Sequence, residues 1–410
     1  MDSRFSSDFF AGNRQRLKEL FTGTAPIVVT ANGLLQRGND STYKFAQDAN
    51  FWYLTGIDEP DILLVMDRDK EYLIVPERSA SRQAFDGVVE ADPLIRRSGV
   101  QTVLNDKEGW DLLGSRINKV KHVATLAVPP HYVEQYGMYT NPARAVLIEK
   151  IKSYNSEIEL LDINQHLARL RMIKQLPELQ AIQQAIDITT RTIKQATSSK
   201  KIAKYSHEFE IEAELSRGYR ATGASGHSFD PIVASGERAC VLHSVANNGA
   251  MSSDELVIID TGAEVDHYAA DIARTLSLGN PSRRQQAVHA AVIETQNYAF
   301  DLLKPGVYIK EYEQQIEHFI GEKMRELGLI KSIKHDDVRR FYPHATSHFL
   351  GLNVHDVGDY ERPLEPGTVM TVEPGIYIRE EGIGVRIEDD VLITPKGIKI
   401  LSKNLSRDLN

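Results

Sequence analysis

Four carboxylates and a group of histidines in the second half of the chain hold the chemistry that its residue types can support. In ELVIIDTGAEVDHYAADIARTLSLG, two β-rich runs flank a polar turn, which is the pattern of a hairpin. Asp260 and Asp271 are symmetric about its centre, between Val265 and Asp266. An even-residue loop would set them directly opposite on one face, with Cβ atoms about 5 Å apart, where like charges are destabilising. The arrangement recurs in TVEPGIYIREEGIGVRIEDDVLI, where Glu373 and Glu388 are symmetric about Glu380 and Glu381, which would form the turn. One such pair reads as a solvated face. Two, each set in apolar runs (LVII, VMTV, GVRI), read as buried, and a buried carboxylate pair holds either a proton or a cation.

His344, His348 and His355 crowd into PHATSHFLGLNVHDVG, with Gly351 and Gly358. A lone histidine is usually structural, but three beside four paired carboxylates reverse that expectation. Four oxygen donors with one imidazole suit a hard or borderline divalent ion such as Mn²⁺, Co²⁺ or Zn²⁺. Two such ions would balance four negative charges, and a pair about 3.5–4 Å apart is a hydrolytic device that activates a shared water and clamps the developing oxyanion. His243, in GERACVLHSVANNG, follows the small-residue segment GASGHSFDPIVASGE, which reads as a loop lining a cavity. Competing chemistry is not evident. No phosphate-binding glycine loop precedes a Lys and a Ser or Thr, and GASG around Ser225 lacks the nucleophile-elbow pattern. Cys240 has no basic or helical setting that would activate it and reads as a small buried thiol.

These side chains need a scaffold. Residues 1–165 read as a mixed α/β domain: a helical stretch (Asn13 to Phe21), the strand-like APIVVTA, then FWYLTG, DILLVM and EYLIVP as short β-rich runs bounded by Gly, Pro or Asp. From about 166 to 200 the apolar spacing turns helical, and Pro177 opens a second helix at an early, tolerated position. This marks a boundary, with 166–410 as the domain that carries the chemistry. An amphipathic helix follows near His207 to Tyr219. Two more are expected in RQQAVHAAVIETQNYAFDLL and YEQQIEHFIGEKMREL, alternating with short strands.

Bulk properties agree. At 410 residues the chain exceeds what one core usually serves. Its 48 basic and 57 acidic residues give a formal charge of −9, which argues against a nucleic-acid partner held by phosphate attraction and suits a cavity for cations. Cys240 is the only cysteine, so no intramolecular disulfide is possible, which suits a reducing, cytoplasmic compartment. The start MDSRFSSDFFAGNRQRLKEL lacks a signal-peptide pattern. No apolar run approaches a bilayer span, so no membrane association is expected.

The order Asp, Asp, His, Glu, Glu, in IDTGAEVDHYAADIART, SHFLGLNVHDVG, TVEPGIYI and VRIEDDVLIT, resembles the pita-bread metallopeptidases, which include methionine aminopeptidase, prolidase and Xaa-Pro aminopeptidase (aminopeptidase P). FAQDANFWYLTGIDEPDILLVM is similar to the amino-terminal domain of Xaa-Pro aminopeptidases, which methionine aminopeptidases lack. LRMIKQLPELQAIQQAI is similar to the helix pair that joins the two domains. The resemblance covers nearly the whole chain. It implies an α/β (α+β) protein whose C-terminal pita-bread domain has a curved antiparallel sheet flanked by helices.

By that resemblance, Asp260 binds one metal ion, Asp271 and Glu388 bridge two, and His348 and Glu373 bind the second. Glu373 also shuttles a proton. His243 and His355 match histidines that contact the substrate and stabilise the tetrahedral intermediate and the leaving proline nitrogen. His344 matches another histidine near the substrate pocket, and Arg386 an arginine that supports the metal shell beside that pocket. Mn²⁺ is the ion implied. Ala273 stands where the family often has Thr, and the loop between Glu373 and Glu388 is short. The implied substrates are peptides with proline at the second position, whose tertiary amide lacks an N–H, and the implied assembly is a homodimer or homotetramer. A prolidase, restricted to Xaa-Pro dipeptides, is the alternative. A non-catalytic pita-bread binding protein or a metal-free creatinase-like hydrolase would not need all five ligands.

Overall fold

The computed structural model describes residues 4–128 and 137–409, which fall into two compact units, Met1–Leu170 and Arg171–Asn410.

In the first unit the elements run α1 (Ser7–Leu20), β1 (Ile27–Thr30), α2 (Ala49–Thr55), β2 (Leu63–Asp67), β3 (Lys70–Val75), α3 (Ala80–Asp86), α4 (Ala91–Ser98), β4 (Thr102–Asn105), α5 (Asp106–Ile117), β5 (His122–Thr125), α6 (Ala143–Tyr154) and β6 (Glu159–Asp162). The strands form one mixed sheet of order β4-β3-β2-β1-β5-β6. Val28, Val65, Tyr72 and Ile74 from the sheet pack on Trp110, Leu113 and Ile151 from α5 and α6. FWYLTG, expected as a strand, is the helix α2. Asp48 caps it by accepting from the N–H groups of Asn50 and Phe51, and Gly56 ends it in the left-handed region at φ 67°. Local capping and all-round burial of Phe51, Trp52, Tyr53 and Leu54 override the β-propensity of the aromatics.

Helix α7 (Asn164–Met172) leads to the second unit, with α8 (Leu176–Ala196), α9 (Ser199–Ile202), α10 (Glu208–Ala221), β7 (Gly226–His227), β8 (Ile232–Ser235), β9 (Leu256–Thr261), β10 (Ala263–Val265), β11 (Tyr268–Ala269), β12 (Ile272–Ser277), α11 (Arg283–Leu302), α12 (Ile309–Glu326), α13 (His335–Arg339), β13 (Val369–Val372), β14 (Gly375–Ile378), β15 (Ile383–Arg386), β16 (Asp389–Thr394) and β17 (Gly397–Ile400). Every strand pair recorded here is antiparallel. Helices cover the strands: Val288 and Val292 of α11 and Ile320 and Met324 of α12 pack with Ile376, Ile378, Val385 and Ile387. A second cluster joins Tyr312 and Ile316 to Met370, Val372 and Val391. On α8, Thr189 Oγ1 accepts the N–H of Ala263 at 2.8 Å. This is the expected pita-bread class: antiparallel strands clasped by helices. Among the described residues no helix is long and apolar enough to cross a membrane.

Register decides where the carboxylates meet. The β14–β15 hairpin pairs Gly375 with Arg386, and β13–β16 pairs Val372 with Asp389. The same register runs through both, so Glu373 and Glu388 fall opposite each other. The other hairpin differs from expectation. Val265 pairs with Tyr268, and the two-residue turn is Asp266–His267, both with positive φ (50° and 68°). That turn suits the right-handed twist of a hairpin. It moves the centre by one residue, so Asp260 faces Ala273 rather than Asp271. A shift of two positions preserves the face, leaving Asp260 and Asp271 as diagonal neighbours on one side. The two strand groups join at this point, where the N–H of Glu388 donates to the carbonyl of Ala273 at 3.0 Å.

Candidate metal centre

The acidic side chains of both hairpins converge. Asp260 and Asp271 are 7% and 5% exposed, and Glu388 is 1% exposed. Ligand atoms of Asp271, His348 and Glu388 all lie within 4.8 Å of one another. His348 Nε2 lies 3.5 Å from Asp271 Oδ2 and 3.4 Å from Glu373 Oε1. Asp260 reaches the group through Arg386, whose guanidinium donates to Asp260 Oδ2 at 2.6 Å.

Placing these groups together is electrostatically costly. Burial, then the charges of Asp260, Asp390 and Glu373, push the Asp271 carboxyl well above its ordinary range. Burial and the charges of Asp271, Glu373 and Asp260 do the same to Glu388. Glu373 is raised by burial, and by Asp260 and Glu313, against the opposing charge of Arg386. Buried Asp260 Oδ1, Asp271 Oδ1 and Glu388 Oε1 have no hydrogen-bond partner among the described residues. Buried carboxylate oxygens without donors are expensive, and Ala273 offers no hydroxyl to relieve Asp271. Multivalent cations answer both problems: they neutralise the cluster and take the spare lone pairs. The donor set, four carboxylates and an imidazole, fits hard or borderline divalent ions.

The histidine loop is set to serve such a site. His348 Nδ1–H donates to the carbonyl of Phe349 at 3.0 Å, which turns the Nε2 lone pair toward the carboxylates. Burial, and the neighbouring His355, push its pKa down to about 3, so the ring is neutral and able to ligate. His344 is also pushed down to about 3, chiefly by burial. Its Nδ1–H donates to the carbonyl of Ala345 at 2.9 Å, and its Nε2 accepts from Tyr377 Oη at 2.8 Å. Tyr377 Oη in turn accepts from Arg386 at 3.1 Å. Arg386 therefore orients an aspartate on one side and, through Tyr377, His344 on the other.

His355 stacks edge-on against His348, ring centroids 4.4 Å apart. Its pKa is lowered by burial and by the charge of His243. That same charge acts on His344, so His243, His344 and His355 share one neighbourhood. His243 itself is solvent-exposed. The arrangement is a buried acidic cluster with an open face lined by imidazoles.

Sequence reasoning missed several residues that hold this site. Glu313 of α12 accepts the N–H groups of Thr346 at 2.9 Å and Ser347 at 3.1 Å, fixing the segment between His344 and His348. Tyr377 and Asp390 were passed over too; Asp390 Oδ2 accepts the N–H of Asp271 at 3.1 Å. Asp356, next to His355, and the pair Arg171 and Lys174 form a buried ion cluster. Only Asp356 carried a signal, a second acidic group inside the histidine segment.

Comparison with known proteins identifies the family. Residues 180–395 match the model of metallopeptidase family M24, and residues 10–124 match the aminopeptidase P N-terminal domain. The chain is 33% identical to human Xaa-Pro aminopeptidase 3 over 94% of this chain and 79% of that protein. It is 33% identical to the Xaa-Pro aminopeptidase of Haemophilus influenzae over 91% and 89%. A structure of zinc-substituted Escherichia coli aminopeptidase P in complex with product superposes with a TM-score of 0.85 at 28% identity, covering 99% of this chain and 97% of that one.

Proposed function

This chain belongs to metallopeptidase family M24, and on that premise we propose that Asp260, Asp271, His348, Glu373 and Glu388 hold two divalent ions at its catalytic centre. The enzyme is a metal-dependent aminopeptidase that hydrolyses the bond between an N-terminal residue and a following proline, a reading favoured over prolidase. The observation that carries the ligand assignment is the grouping of Asp271, His348 and Glu388, with carboxylate oxygens that receive no hydrogen bond from the described residues.

Bound ions would supply a water nucleophile at neutral pH and charge to stabilise the oxyanion. The chain's own residues do the rest. Glu373, 3.5 Å from His344 Nδ1, sits at the border of the acidic cluster and the histidine face. It takes the proton of the attacking water and passes it toward the leaving nitrogen. The proline nitrogen, like any peptide nitrogen, must gain a proton as the C–N bond breaks, since an unprotonated amide anion is a poor leaving group. His243 and His355, on the open face, steady the tetrahedral intermediate and the proline side of the substrate. Arg386 keeps Asp260 aligned, and His344 borders the substrate pocket.

Mn²⁺ is the preferred ion, since four of five donors are hard carboxylate oxygens; Co²⁺ and Zn²⁺ fit the same set. The N-terminal unit contributes to assembly, as a homodimer or homotetramer, and to substrate access. A sole cysteine supports a cytoplasmic location. The test is hydrolysis of Ala-Pro and Ala-Pro-Ala by metal-stripped enzyme, with and without added Mn²⁺. Restoration of tripeptide cleavage by Mn²⁺ is expected. Cleavage of the dipeptide alone would make the enzyme a prolidase, and full activity without metal would remove the proposed centre.

A further inference from the structure

His355 is followed by Asp356, and the two neighbours have opposite fates. His355 opens to solvent, whereas the Asp356 side chain is 1% exposed. A buried carboxylate needs compensation. Asp356 has it twice: Arg171 pairs with Oδ1, and Lys174 Nζ lies 3.2 Å from Oδ2. Both cations are as deeply buried as the acid. Lys174 Nζ also donates to the carbonyl of Arg171 at 2.6 Å, which ties the two cations together. Burial alone would raise the Asp356 carboxyl, yet Arg171 and Lys174 hold it below the ordinary range, so it stays ionised.

This ion cluster is built into the loop that carries two candidate functional histidines. The N–H of Asp356 donates to the carbonyl of Phe349 at 2.8 Å. That same carbonyl accepts from His348 Nδ1 at 3.0 Å. One oxygen therefore couples the backbone at Asp356 to the ring orientation of His348. The turn between them closes on the ions: at Gly351 a Cβ would lie 2.2 Å from Asp356 Oδ2 and 2.9 Å from Lys174 Nζ. The rings of His348 and His355 meet at 4.4 Å, so a displacement of one end of the loop reaches the other.

We infer that Arg171 and Lys174 are positioning residues for the reaction: through Asp356 they fix the imidazole of His355 on the substrate side of the centre. The inference rests on the substrate-side role given to His355 above. It extends the supporting structure of the site into the segment LRMIKQLPE, which the sequence presents only as part of the helix pair that joins the two domains. Neither cation reaches the substrate. They act by holding the backbone from which His355 projects, and the preference for two of them follows from the cost of leaving a buried carboxylate partly paired.

The test is a double-mutant cycle on the holoenzyme, reading kcat, KM and bound metal with an Ala-Pro-Ala substrate. Lys174→Met is expected to lower kcat about 10-fold or more, with KM and metal stoichiometry little changed. Lys174→Arg should recover most of the loss. In the His355→Ala background Lys174→Met should cost nothing further, because the residue it positions is gone. Multiplicative losses in the double variant, or a lowered melting temperature with kcat intact, would overturn the inference while leaving the role of His355 standing. If His355→Ala alone leaves kcat unchanged, the role of His355 fails, and the inference with it. Arg171→Lys, which retains the buried charge and alters only the guanidinium fork, carries the same cycle if Lys174→Met does not fold.

Discussion

Arg386 and Asp260 form a one-sided pair: the guanidinium donates to Oδ2 at 2.6 Å, while the buried Oδ1 receives no hydrogen bond from the described residues. The arginine is 4% exposed and, among the described residues, is the one cation in an ion pair with Asp260. It offsets part of the repulsion among four carboxylates and leaves one oxygen of the aspartate for a ligand. Arg386→Met should destabilise the metal-free protein by about 3–5 kcal/mol, the range for breaking a buried pair. Added Mn²⁺ should recover more of the melting temperature in the variant than it adds to the parent, because the variant's cluster is more negative. Calorimetry with and without metal checks this; an equal metal effect in both proteins would show that Arg386 does not balance the cluster.

Removing metal should change how stability depends on pH. Asp271, Glu373 and Glu388 have folded-state pKa values raised by burial and by one another. A carboxyl raised in the folded state binds its proton more tightly there than when unfolded. Its penalty is therefore absent at low pH and grows as pH rises through the folded pKa. Bound cations cancel that penalty at neutral pH. The gap in melting temperature between metal-loaded and metal-free enzyme should be largest near pH 7–8 and shrink toward pH 5. A constant gap over that range would contradict the raised carboxyls.

The ligand and substrate-side assignments separate in metal content. Asp271→Ala and Glu388→Ala should lose bound metal and lower kcat more than about 100-fold, beyond the usual effect of outer-shell partners. His243→Ala and His355→Ala should lower kcat with the metal retained. Elemental analysis beside steady-state kinetics distinguishes them. Metal loss on changing His243 or His355 would make those residues ligands, and normal turnover in either aspartate or glutamate variant would remove the bridging role.

The convergence of the candidate ligands was legible in the sequence because such side chains are few, chemically distinctive and set in β-rich text with a period of two. A two-residue error in the Asp260 hairpin did no harm, since it kept Asp271 on the same face. The Asp266–His267 turn that caused it carries no glycine, so its positive φ values were hidden. The helix at FWYLTG was hidden for a different reason: its caps, Asp48 and Gly56, are legible, but all-round burial erased the amphipathic pattern. Glu313, Lys174 and Arg171 act across long sequence separations on backbone groups or buried partners, and no local pattern announces such contacts.

His227 gives a pH dependence of opposite sign to the carboxylates. It is half-buried beside β10, its Nε2 2.8 Å from Ser216 Oγ and its Nδ1 3.2 Å from Thr261 Oγ1. Burial pushes its pKa down to about 4 from an ordinary 6.5, against a weak opposing effect of Asp230. The unfolded chain therefore binds a proton below pH 6.5 that the folded chain refuses until about pH 4. The stability contributed by neutral His227 is complete above pH 6.5 and is lost as pH falls through that window. His227→Gln can keep a donor and an acceptor but cannot titrate, so its loss of stability between pH 6.5 and 4 should be shallower than the parent's by about one proton's linkage. Chemical denaturation at fixed metal load across that range measures the slope. Equal slopes in parent and variant would mean that His227 protonates in the folded state as freely as in the unfolded one, and the half-buried Ser216–His227–Thr261 chain would then be open to solvent.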